Sequence, residues 1–595
     1  MTSVHTKVSA DPILNLSSTY LRPQRRQLGV LGLLLIGGIA LQLINPQIIR
    51  IFIDATQAAE TQNIFRAAVL FIGLSFLQRA LMIASVYLSE RIGWETTNAL
   101  RIDLTHHCLS LDMGFHKRIT PGELIERIDG DVSMLTNLFS QLGLRVLSNL
   151  VLILGILVLL FREDWRVGVG LTLYTILTFT VLMAMQRVAV GRWLAVRTSS
   201  AAQSGFIEER LSGTEDLRAA GAEQHSLNQL DDLSHKLLIS SQRAELASNL
   251  SFAITNVLFV IGYALGLAIG VGLYQSGQAS IGSAFLIVYY IGMIAGPLEV
   301  IRDQAEDLQQ AGASVTRVAS LLATQPLVRE QSRRRLPETA LAISLEHVSF
   351  GYKDQHEQGS PNEEQSTTLH DISLHVPAGQ ILGLLGRTGS GKTTLSRLLL
   401  RLYDVDTGSI QIDSYELREL ALADLRARVG MVTQDVQLFQ ASVRDNLSLF
   451  SPAIHDDNIQ HALIQLGLWE WAAGLPQGLD TQLGSAGIGL SAGEAQLLAF
   501  ARVLLRNPGL IILDEASSRL DPATERLLDQ ALDRLLQGRT AVIIAHRLAT
   551  VLRADQIVIL EQGRIIEQGQ RAQLAKDASS RFAHLLRVGA GEELS

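Results

Sequence analysis

Two patterns of apolar and polar residues divide the chain into halves. In the first half, six stretches approach or exceed the roughly 20 apolar residues that a helix needs to cross a bilayer. In the second half, short apolar runs alternate with amphipathic segments. The first pattern predicts six membrane helices, at about 28–54, 64–88, 134–161, 167–190, 250–275 and 281–303.

Polar and charged residues weaken the prediction for two of these stretches. Gln78 and Arg79 interrupt the second stretch, and Glu299 and Arg302 end the sixth. Charged residues are rare in membrane spans, so a buried helix of a soluble domain is the alternative interpretation for these two.

The distribution of Lys and Arg predicts how the helices cross the membrane. The short links 55–63 and 275–280 contain neither residue, whereas the long links around 89–133 and 187–245 contain many. Because cytoplasmic loops carry the excess of Lys and Arg, we expect the long links and both termini inside. The long links also have a helical pattern, which predicts that the membrane helices continue into the cytoplasm. Residues 1–27 show no signal-peptide cleavage pattern and are predicted to be a cytoplasmic N-terminal segment of a multi-pass plasma (inner) membrane protein.

Several polar positions inside the predicted spans are candidates for lining a transport pathway. A hydrogen bond between helices explains most of them equally well. An arginine at a helix centre costs about 2.5–3.5 kcal/mol on insertion scales, so Arg79 is expected to face a cavity or a partner rather than lipid. The candidates are Gln42, Asn45, Gln78, Arg79, Asn256 and a break at Pro297 near Tyr289 and Tyr290.

A polar segment at 323–341 separates the two halves. It contains Pro326, Pro337 and the basic triplet Arg333–Arg335. The triplet could contact anionic lipid, but a solvated linker is the favoured interpretation of only three charges. The sequence thus predicts a membrane domain at 28–322, a linker at 323–341 and a second domain at 342–595.

Composition excludes several classes of protein. The chain has 595 residues, 47% of them apolar, which is too long for one domain and too apolar for an ordinary soluble protein. A net charge of -8 with dispersed Lys and Arg gives no reason to expect a nucleic-acid partner. Cys108 is the only cysteine, so an intramolecular disulfide and a cysteine-rich metal cluster are both excluded.

The strongest motif lies in the second half, where strands alternating with helices predict an α/β domain with a largely parallel sheet and antiparallel strands at its start. The segment 386–393, GRTGSGKT, follows a predicted buried strand at 381–385 and fits the pattern G-x-x-x-x-G-K-[ST]. The glycines let backbone N–H groups surround a phosphate, Lys392 adds positive charge, and the Thr393 hydroxyl can bind Mg²⁺. An ordinary glycine-rich turn is a much weaker explanation of the full match.

Three further strands end in polar side chains. A buried strand ends in Asp514 and Glu515, which are placed to hold Mg²⁺ and to polarise an attacking water, respectively. Another strand precedes His546, and Gln434 follows the apolar run 429–432. Ligands of open α/β sheets bind at the carboxyl ends of strands, which favours a shared site over solvated turns or a structural histidine.

Two more segments are candidates for nucleotide contact. Tyr352 ends a predicted strand and could stack on a nucleobase, although a surface tyrosine is the plainer interpretation. Ser491 and Glu494 form the pattern of a helix-capping box, and a serine at a helix start also suits a phosphate.

These motifs, in this order and spacing, resemble those of ATP-binding cassette (ABC) transporters, and the resemblance covers nearly the whole chain. Residues 115–131 and 209–223 look like the two coupling loops of exporter-type members. The resemblance implies a six-helix transmembrane bundle of the exporter type, followed by an α/β P-loop nucleotide-binding domain with an antiparallel β subdomain. With one membrane domain fused to one cassette, the chain looks like a half-transporter whose cassette lies in the cytoplasm.

The resemblance also implies a role for each matching residue, with ATP and Mg²⁺ as cofactors. It implies adenine stacking at Tyr352, Mg²⁺ near Thr393, Gln434 and Asp514, a catalytic carboxylate at Glu515, and a γ-phosphate contact from His546, with Gln434 assisting catalysis. Ser491 and Gly493 would contact the ATP of a partner subunit, and residues 518–521 look like the loop that crosses to that partner. The implied phosphate contacts are Gly386, Arg387, Thr388, Gly389, Ser390, Gly391, Lys392, Thr393 and Thr394.

Two departures from the family pattern favour a heterodimer with unequal sites over a homodimer. The usual LSGGQ reads LSAGE at 490–494, and TQLGSAG at 481–487 lacks the family's usual Glu-Arg pair. A methyl group at Ala492 could weaken the site that this chain completes for its partner. ATP-driven export is the first hypothesis; an ATP-binding regulatory subunit and an importer are the alternatives, and the sequence leaves the substrate open.

Overall fold

The computed structural model describes residues 16, 18–57, 61–137, 143–329, 334–352, 367–434, 436–484, 490–514, 522–544 and 548–592. These residues form two compact units. The first comprises residues 1–109 and 121–324, and the second comprises 110–120 and 325–595. A short piece of the N-terminal half therefore groups with the second unit.

Long helices dominate the N-terminal part of the chain. After a 3₁₀ turn at Arg22–Gln24, the described residues of this half form ten α-helices, with a π-helix at Glu126–Asp131 between α4 and α5. They are α1 (Arg25–Gln57), α2 (Thr61–Ser110), α3 (Met113–Arg118), α4 (Pro121–Ile125), α5 (Val132–Asn137), α6 (Gly143–Glu163), α7 (Trp165–Ser212), α8 (Thr214–Ala220), α9 (Glu223–Gln275) and α10 (Ile281–Ala323).

Six of these helices are long and apolar enough to cross a membrane, which confirms the predicted number of spans. Helices α2, α7 and α9 have 50, 48 and 53 residues, far more than a bilayer requires, so they continue beyond the predicted spans. In the second span, only 6% of the most apolar window is buried, which argues against a buried soluble helix there.

The third predicted span, 134–161, covers the end of α5 and most of α6, and residues 138–142 between them lie outside the described residues. One detail of the predicted spans was wrong. Pro297 was expected to break the sixth span, but α10 runs through it from Ile281 to Ala323. A membrane helix tolerates proline where neighbouring helices and local adjustments satisfy the freed carbonyl.

Several of the candidate pathway residues make hydrogen bonds within the first unit. The Asn45 amide donates to Gln78 Oε1 at 2.8 Å, and the Tyr290 hydroxyl donates to the Leu43 carbonyl at 2.9 Å. Asn256 donates to the Phe252 carbonyl of its own helix. These bonds agree with the plainer interpretation offered for such residues, whereas Arg79 is exposed in the single chain and contacts Met82 Sδ at 3.8 Å.

The second unit contains ten strands and ten α-helices among its described residues beyond Gln325. Short 3₁₀ turns lie at Leu417–Glu419 and Gly478–Asp480. In chain order the elements are β1 (Ile343–Gly351), β2 (Thr367–Val376), β3 (Ile381–Leu385), α11 (Lys392–Leu399), β4 (Thr407–Ile412), β5 (Tyr415–Glu416), α12 (Leu422–Arg428), β6 (Val429–Val432), α13 (Val443–Ser448), α14 (Asp456–Leu466), α15 (Trp469–Gly474), α16 (Ala492–Leu505), β7 (Leu510–Asp514), α17 (Pro522–Leu536), β8 (Thr540–Ile544), α18 (Leu548–Val551), β9 (Gln556–Glu561), β10 (Arg564–Gln570), α19 (Arg571–Leu574) and α20 (Arg581–Glu592).

Two sheets confirm the predicted α/β domain with its antiparallel subdomain. The larger sheet has the order β10-β9-β3-β8-β7-β6, in which β10 is antiparallel to β9 and the other neighbours are parallel. The smaller sheet, β2-β1-β4-β5, is antiparallel. Every residue of β7 and β8 is buried, as the continuous apolar sequence of a central parallel strand requires. The carboxyl ends of β3, β6 and β7 therefore share one edge of the larger sheet.

Candidate nucleotide-binding site

The loop between β3 and α11 has a backbone that only glycine can readily adopt. Gly386, Gly389 and Gly391 have φ angles of 148°, 82° and 103°. A Cβ atom on Gly386 would lie 2.2 Å from the Leu560 carbonyl oxygen, and one on Gly391 would lie 2.5 Å from Leu369 Cδ2. Both conformation and close packing therefore require glycine at these two positions.

Lys392 and Ser390 lie inside this loop. The Lys392 side chain is buried and its ammonium donates to the carbonyl oxygens of Gly386, at 2.6 Å, and Arg387, at 3.1 Å. The Ser390 hydroxyl is buried and has no hydrogen-bond partner among the described residues. A buried hydroxyl without a partner is costly, so its position fits a polar ligand in the loop.

The loop faces a cavity of about 280 Å³. Asp514, at the end of β7, is buried, whereas Gln434, two residues beyond the neighbouring β6, is exposed. Both lie on this cavity because the carboxyl ends of adjacent parallel strands open at the same edge of the sheet. The cavity is lined by Thr368, Thr388, Gly389, Ser390, Gly391, Lys392, Thr393, Thr394, Gln434 and Asp514.

Tyr352 lies beside the helix that follows the loop. Its hydroxyl is 3.3 Å from Thr394 Oγ1 and accepts a hydrogen bond from Arg397 Nη1 at 3.3 Å. The rings of Phe350 and Tyr403 meet its ring nearly at right angles, with centroids 5.1 and 5.3 Å away. Burial, chiefly, and the neighbouring Tyr352 raise the pKa of the Tyr403 hydroxyl above its ordinary value, and Arg397 opposes the shift. The Tyr352 ring is thus held in a fixed orientation within an aromatic cluster.

The predicted capping box at the start of α16 is confirmed. Glu494 N donates to Ser491 Oγ at 3.2 Å, and Ser491 N donates to Glu494 Oε2 at 2.7 Å. Ser491 is exposed, whereas the backbone of Gly493 is buried. The exposed Ser491 presents its hydroxyl at the surface of this cassette, where a ligand or a second molecule can contact it.

Several predicted positions lie outside the described residues. They are Glu515, the loop 518–521, His546 and residues 485–487 of the segment TQLGSAG. The roles that the sequence assigns to Glu515 and His546 therefore remain predictions.

Sequence reasoning missed two supporting residues. Thr368, at the start of β2, lines the cavity although β2 belongs to the smaller sheet. Gly563, in the turn between β9 and β10, donates its N–H to the Ser390 carbonyl at 3.2 Å. A Cβ atom there would lie 2.3 Å from the Thr368 carbonyl oxygen. No local motif marks Thr368, but the turn sequence Gln562-Gly563 was a visible signal for a glycine with positive φ.

Family models match both halves of the chain. A model described as the ABC transporter transmembrane region matches residues 28–298, and one described as the ABC transporter matches residues 369–518. Among curated relatives, an uncharacterized ABC transporter ATP-binding protein, YknV, of Bacillus subtilis (strain 168) is 30% identical over 560 residues, covering 93% of this chain and 91% of its own. An ATP-dependent lipid A-core flippase of Burkholderia pseudomallei (strain K96243) is 30% identical over 530 residues, covering 87% of this chain and 85% of its own.

A solved structure shares the fold. A bacterial Atm1-family ABC exporter with ATP bound aligns with a TM-score of 0.78 at 23% identity, over 95% of this chain and 98% of that one. Fold, phosphate loop and relatives together define an ATPase that drives transport across a membrane. The chain belongs to the ABC transporter family and is a half-transporter of the exporter type. Such exporters work as dimers embedded in lipid.

Proposed function

We propose that this chain forms one half of an exporter in which each ATP is hydrolysed between two cassettes. The cavity that brings Lys392, Gln434 and Asp514 together is the observation that most supports this. It offers a glycine-rich loop and an ammonium for phosphates and, in Thr393, Gln434 and Asp514, three oxygen-bearing side chains of the kind that Mg²⁺ prefers. The unpartnered Ser390 hydroxyl supports a polar ligand at the same place.

The proposed chemistry depends mainly on positioning and charge. Thr393, Gln434 and Asp514 would hold Mg²⁺, which neutralises charge on the phosphates. Glu515 orients and polarises the attacking water, and His546 contacts the γ-phosphate. Tyr352 holds the adenine by stacking, which is worth about 1–3 kcal/mol for a base on an aromatic ring.

A second chain is proposed to complete each site through the start of its α16. The exposed Ser491 and the N–H groups beside Gly493 suit a phosphate of the ATP that the partner chain binds. We favour a heterodimer because Ala492 replaces the first glycine of the usual LSGGQ motif. The chain purified alone should therefore show little ATPase activity, which Ala492→Gly should raise several-fold. Full ATPase activity of the wild-type homodimer would favour a homodimer instead.

The substrate that we propose is a lipid of the lipid A-core type, moved from the inner to the outer leaflet of the inner membrane. Relatives at 30% identity are named as ATP-dependent flippases for such lipids. Arg79, exposed in the single chain within the apolar span of α2, is suitable for an anionic headgroup, because a charge there needs a counter-charge or a water-filled cavity. We place both termini and the cassette in the cytoplasm from the Lys and Arg distribution.

The test uses the purified dimer in proteoliposomes with wild-type and Glu515→Gln chains. Glu515→Gln should keep ATP binding and abolish both ATP turnover and flipping of a labelled lipid, provided that any partner's own site is silenced. Lys392→Ala should reduce nucleotide affinity instead. Retained turnover in Glu515→Gln would contradict the catalytic assignment, ATP binding without turnover in the wild type would favour a regulatory subunit, and accumulation of lipid in the opposite leaflet would favour an importer.

A further inference from the structure

A lysine from the N-terminal half of the chain lies over the proposed adenine platform. Lys117, in the short helix α3, places its Nζ atom 4.3 Å from the centroid of the Tyr352 ring. The contact lies inside the second unit, because residues 110–120 group with it. An ammonium within about 6 Å of a ring centroid is attracted by the negative face of the ring.

The neighbours of Tyr352 indicate which face Lys117 covers. Phe350 is buried, and Tyr403 is partly buried in the same apolar cluster, so both lie on the core side of the ring. Lys117 is exposed and reaches the ring from the solvent side. A nucleobase that approaches from solution needs this same accessible face.

The two ends of α3 are held differently. At its N-terminus, Asp112 accepts hydrogen bonds from Phe115 N at 3.1 Å and from Leu327 N at 2.7 Å. Near its C-terminus, the Lys117 ammonium rests on the Tyr352 ring. Displacing the ammonium would leave the hydrogen bonds to Asp112 in place.

We propose that Lys117 is an affinity-determining residue of the nucleotide site, because its ammonium lies over the Tyr352 ring and competes with the base for the accessible face of that ring. The proposal rests on the proposed function, namely that ATP binds at the loop and stacks on Tyr352.

The sign of the effect separates this role from simple attraction of phosphates. If Lys117 only attracts phosphates, its removal should weaken ATP binding by the protein, because a favourable charge is lost. If Lys117 competes for the ring, its removal should tighten ATP binding. A cation–π contact at an exposed site corresponds to about two- to fivefold in affinity, and we expect a gain of that size.

The experiment uses the full-length protein in nanodiscs and measures the dissociation constants of ATP and of inorganic triphosphate, which has no base. Lys117→Met keeps the apolar stem and removes the cation, Lys117→Arg keeps a cation, and Lys576→Met changes an exposed lysine elsewhere in the same unit. We expect Lys117→Met to bind ATP about two- to fivefold more tightly with triphosphate binding unchanged. The other two variants should match the wild type.

The same change in a Tyr352→Ala background should have no effect, since the ring is absent. Unchanged or weaker ATP binding in Lys117→Met, an equal shift for triphosphate, or an effect that persists without Tyr352 would each overturn the proposal. Lys392→Ala distinguishes the two proposals, because it should weaken both probes if the loop binds phosphates. A wild-type protein that binds neither probe would overturn both.

Discussion

The carboxylate of Asp131 is buried and accepts a hydrogen bond from Arg317 Nε at 2.8 Å, with a second contact to Arg317 Nη2. The Ser314 hydroxyl donates to the same carboxylate at 2.8 Å. The pair joins the π-helix Glu126–Asp131 to α10 within the first unit. Hydrogen bonding to Asp131, chiefly, raises the pKa of Arg317 further above its already high value, so the guanidinium stays charged at any physiological pH.

Asp131→Asn should destabilise the protein by about 1–3 kcal/mol, because it removes one charge of a largely buried pair whose arginine is half exposed. Asp129→Asn is the matched control, since Asp129 lies in the same π-helix but pairs with Arg101 at the surface. The control should cost at most about 1 kcal/mol. Thermal unfolding of the two purified variants measures the difference, and equal losses would contradict the importance given to burial.

The start of α10 is fixed to the end of α1 by Asp54. Its carboxylate accepts from Gly282 N at 2.9 Å and from the Ser280 hydroxyl at 2.8 Å. A Cβ atom on Gly282 would lie 2.6 Å from Asp54 Oδ1 and 2.7 Å from the Arg50 carbonyl oxygen. Gly282→Ala should therefore destabilise the first unit by roughly 1–3 kcal/mol.

Gly73→Ala is the control for this glycine, because nothing lies within 4 Å of its added Cβ atom. Alanine favours a helix interior over glycine by about 0.5–1 kcal/mol, so the control should be neutral or more stable. The melting temperatures of the two variants give the comparison. A Gly282→Ala protein as stable as Gly73→Ala would show that α10 can move away from Asp54 at no cost.

Ser390→Ala tests whether the buried hydroxyl in the loop serves a ligand. Without nucleotide, the variant should be as stable as the wild type or more so, since it loses a buried polar group without a partner. ATP affinity should fall by about two- to tenfold, the equivalent of one hydrogen bond, and the ATP-induced rise in melting temperature should shrink.

Ser396→Ala, in the helix that follows the loop, provides the contrasting outcome. The buried Ser396 hydroxyl donates to the Thr393 carbonyl at 2.8 Å, so its loss should lower the stability of the nucleotide-free protein. ATP affinity should change little. If both serine variants behave alike in calorimetric titration and in thermal unfolding, Ser390 has no special relation to the ligand.

Tyr403 predicts a loss of stability at alkaline pH. Its pKa is raised in the folded protein, so folding keeps the hydroxyl protonated, and the stabilisation is fully present below the ordinary pKa of about 10. As the pH rises beyond this value, the unfolded form ionises first and stability falls. Tyr403→Phe removes this dependence. The melting temperature of the variant relative to that of the wild type should therefore rise between pH 8 and pH 11. A difference that does not change with pH would contradict the prediction.

The loop and the strand ends could be predicted from sequence because their signals are local. The glycines of 386–391 indicate a backbone with positive φ angles. The apolar strands that are followed by Gln434 and Asp514 predict that both side chains lie at one edge of a parallel sheet. The structure does bring these residues to one cavity. The capping box of Ser491 and Glu494 is equally local, and it formed as the sequence indicated.

Contacts that depend on tertiary packing could not be predicted in the same way. Thr368 reaches the cavity from the other sheet, and Lys117 reaches Tyr352 from a distant part of the chain, so no spacing in the sequence relates them. Pro297 misled the prediction because proline usually ends helices in water, where the freed carbonyl has other partners.

The grouping of residues 110–120 with the second unit also bears on how the protein can be divided in the laboratory. Phe115 in this segment is buried, and Cε1 of Tyr403 would lie 3.7 Å from a Cβ atom on Gly114. A soluble ATPase fragment that begins at residue 342 would lack residues 110–120 and would expose apolar surface to water. Such a fragment should be less soluble and bind nucleotide differently from the intact transporter, and adding a peptide of residues 110–120 in trans should restore part of what was lost.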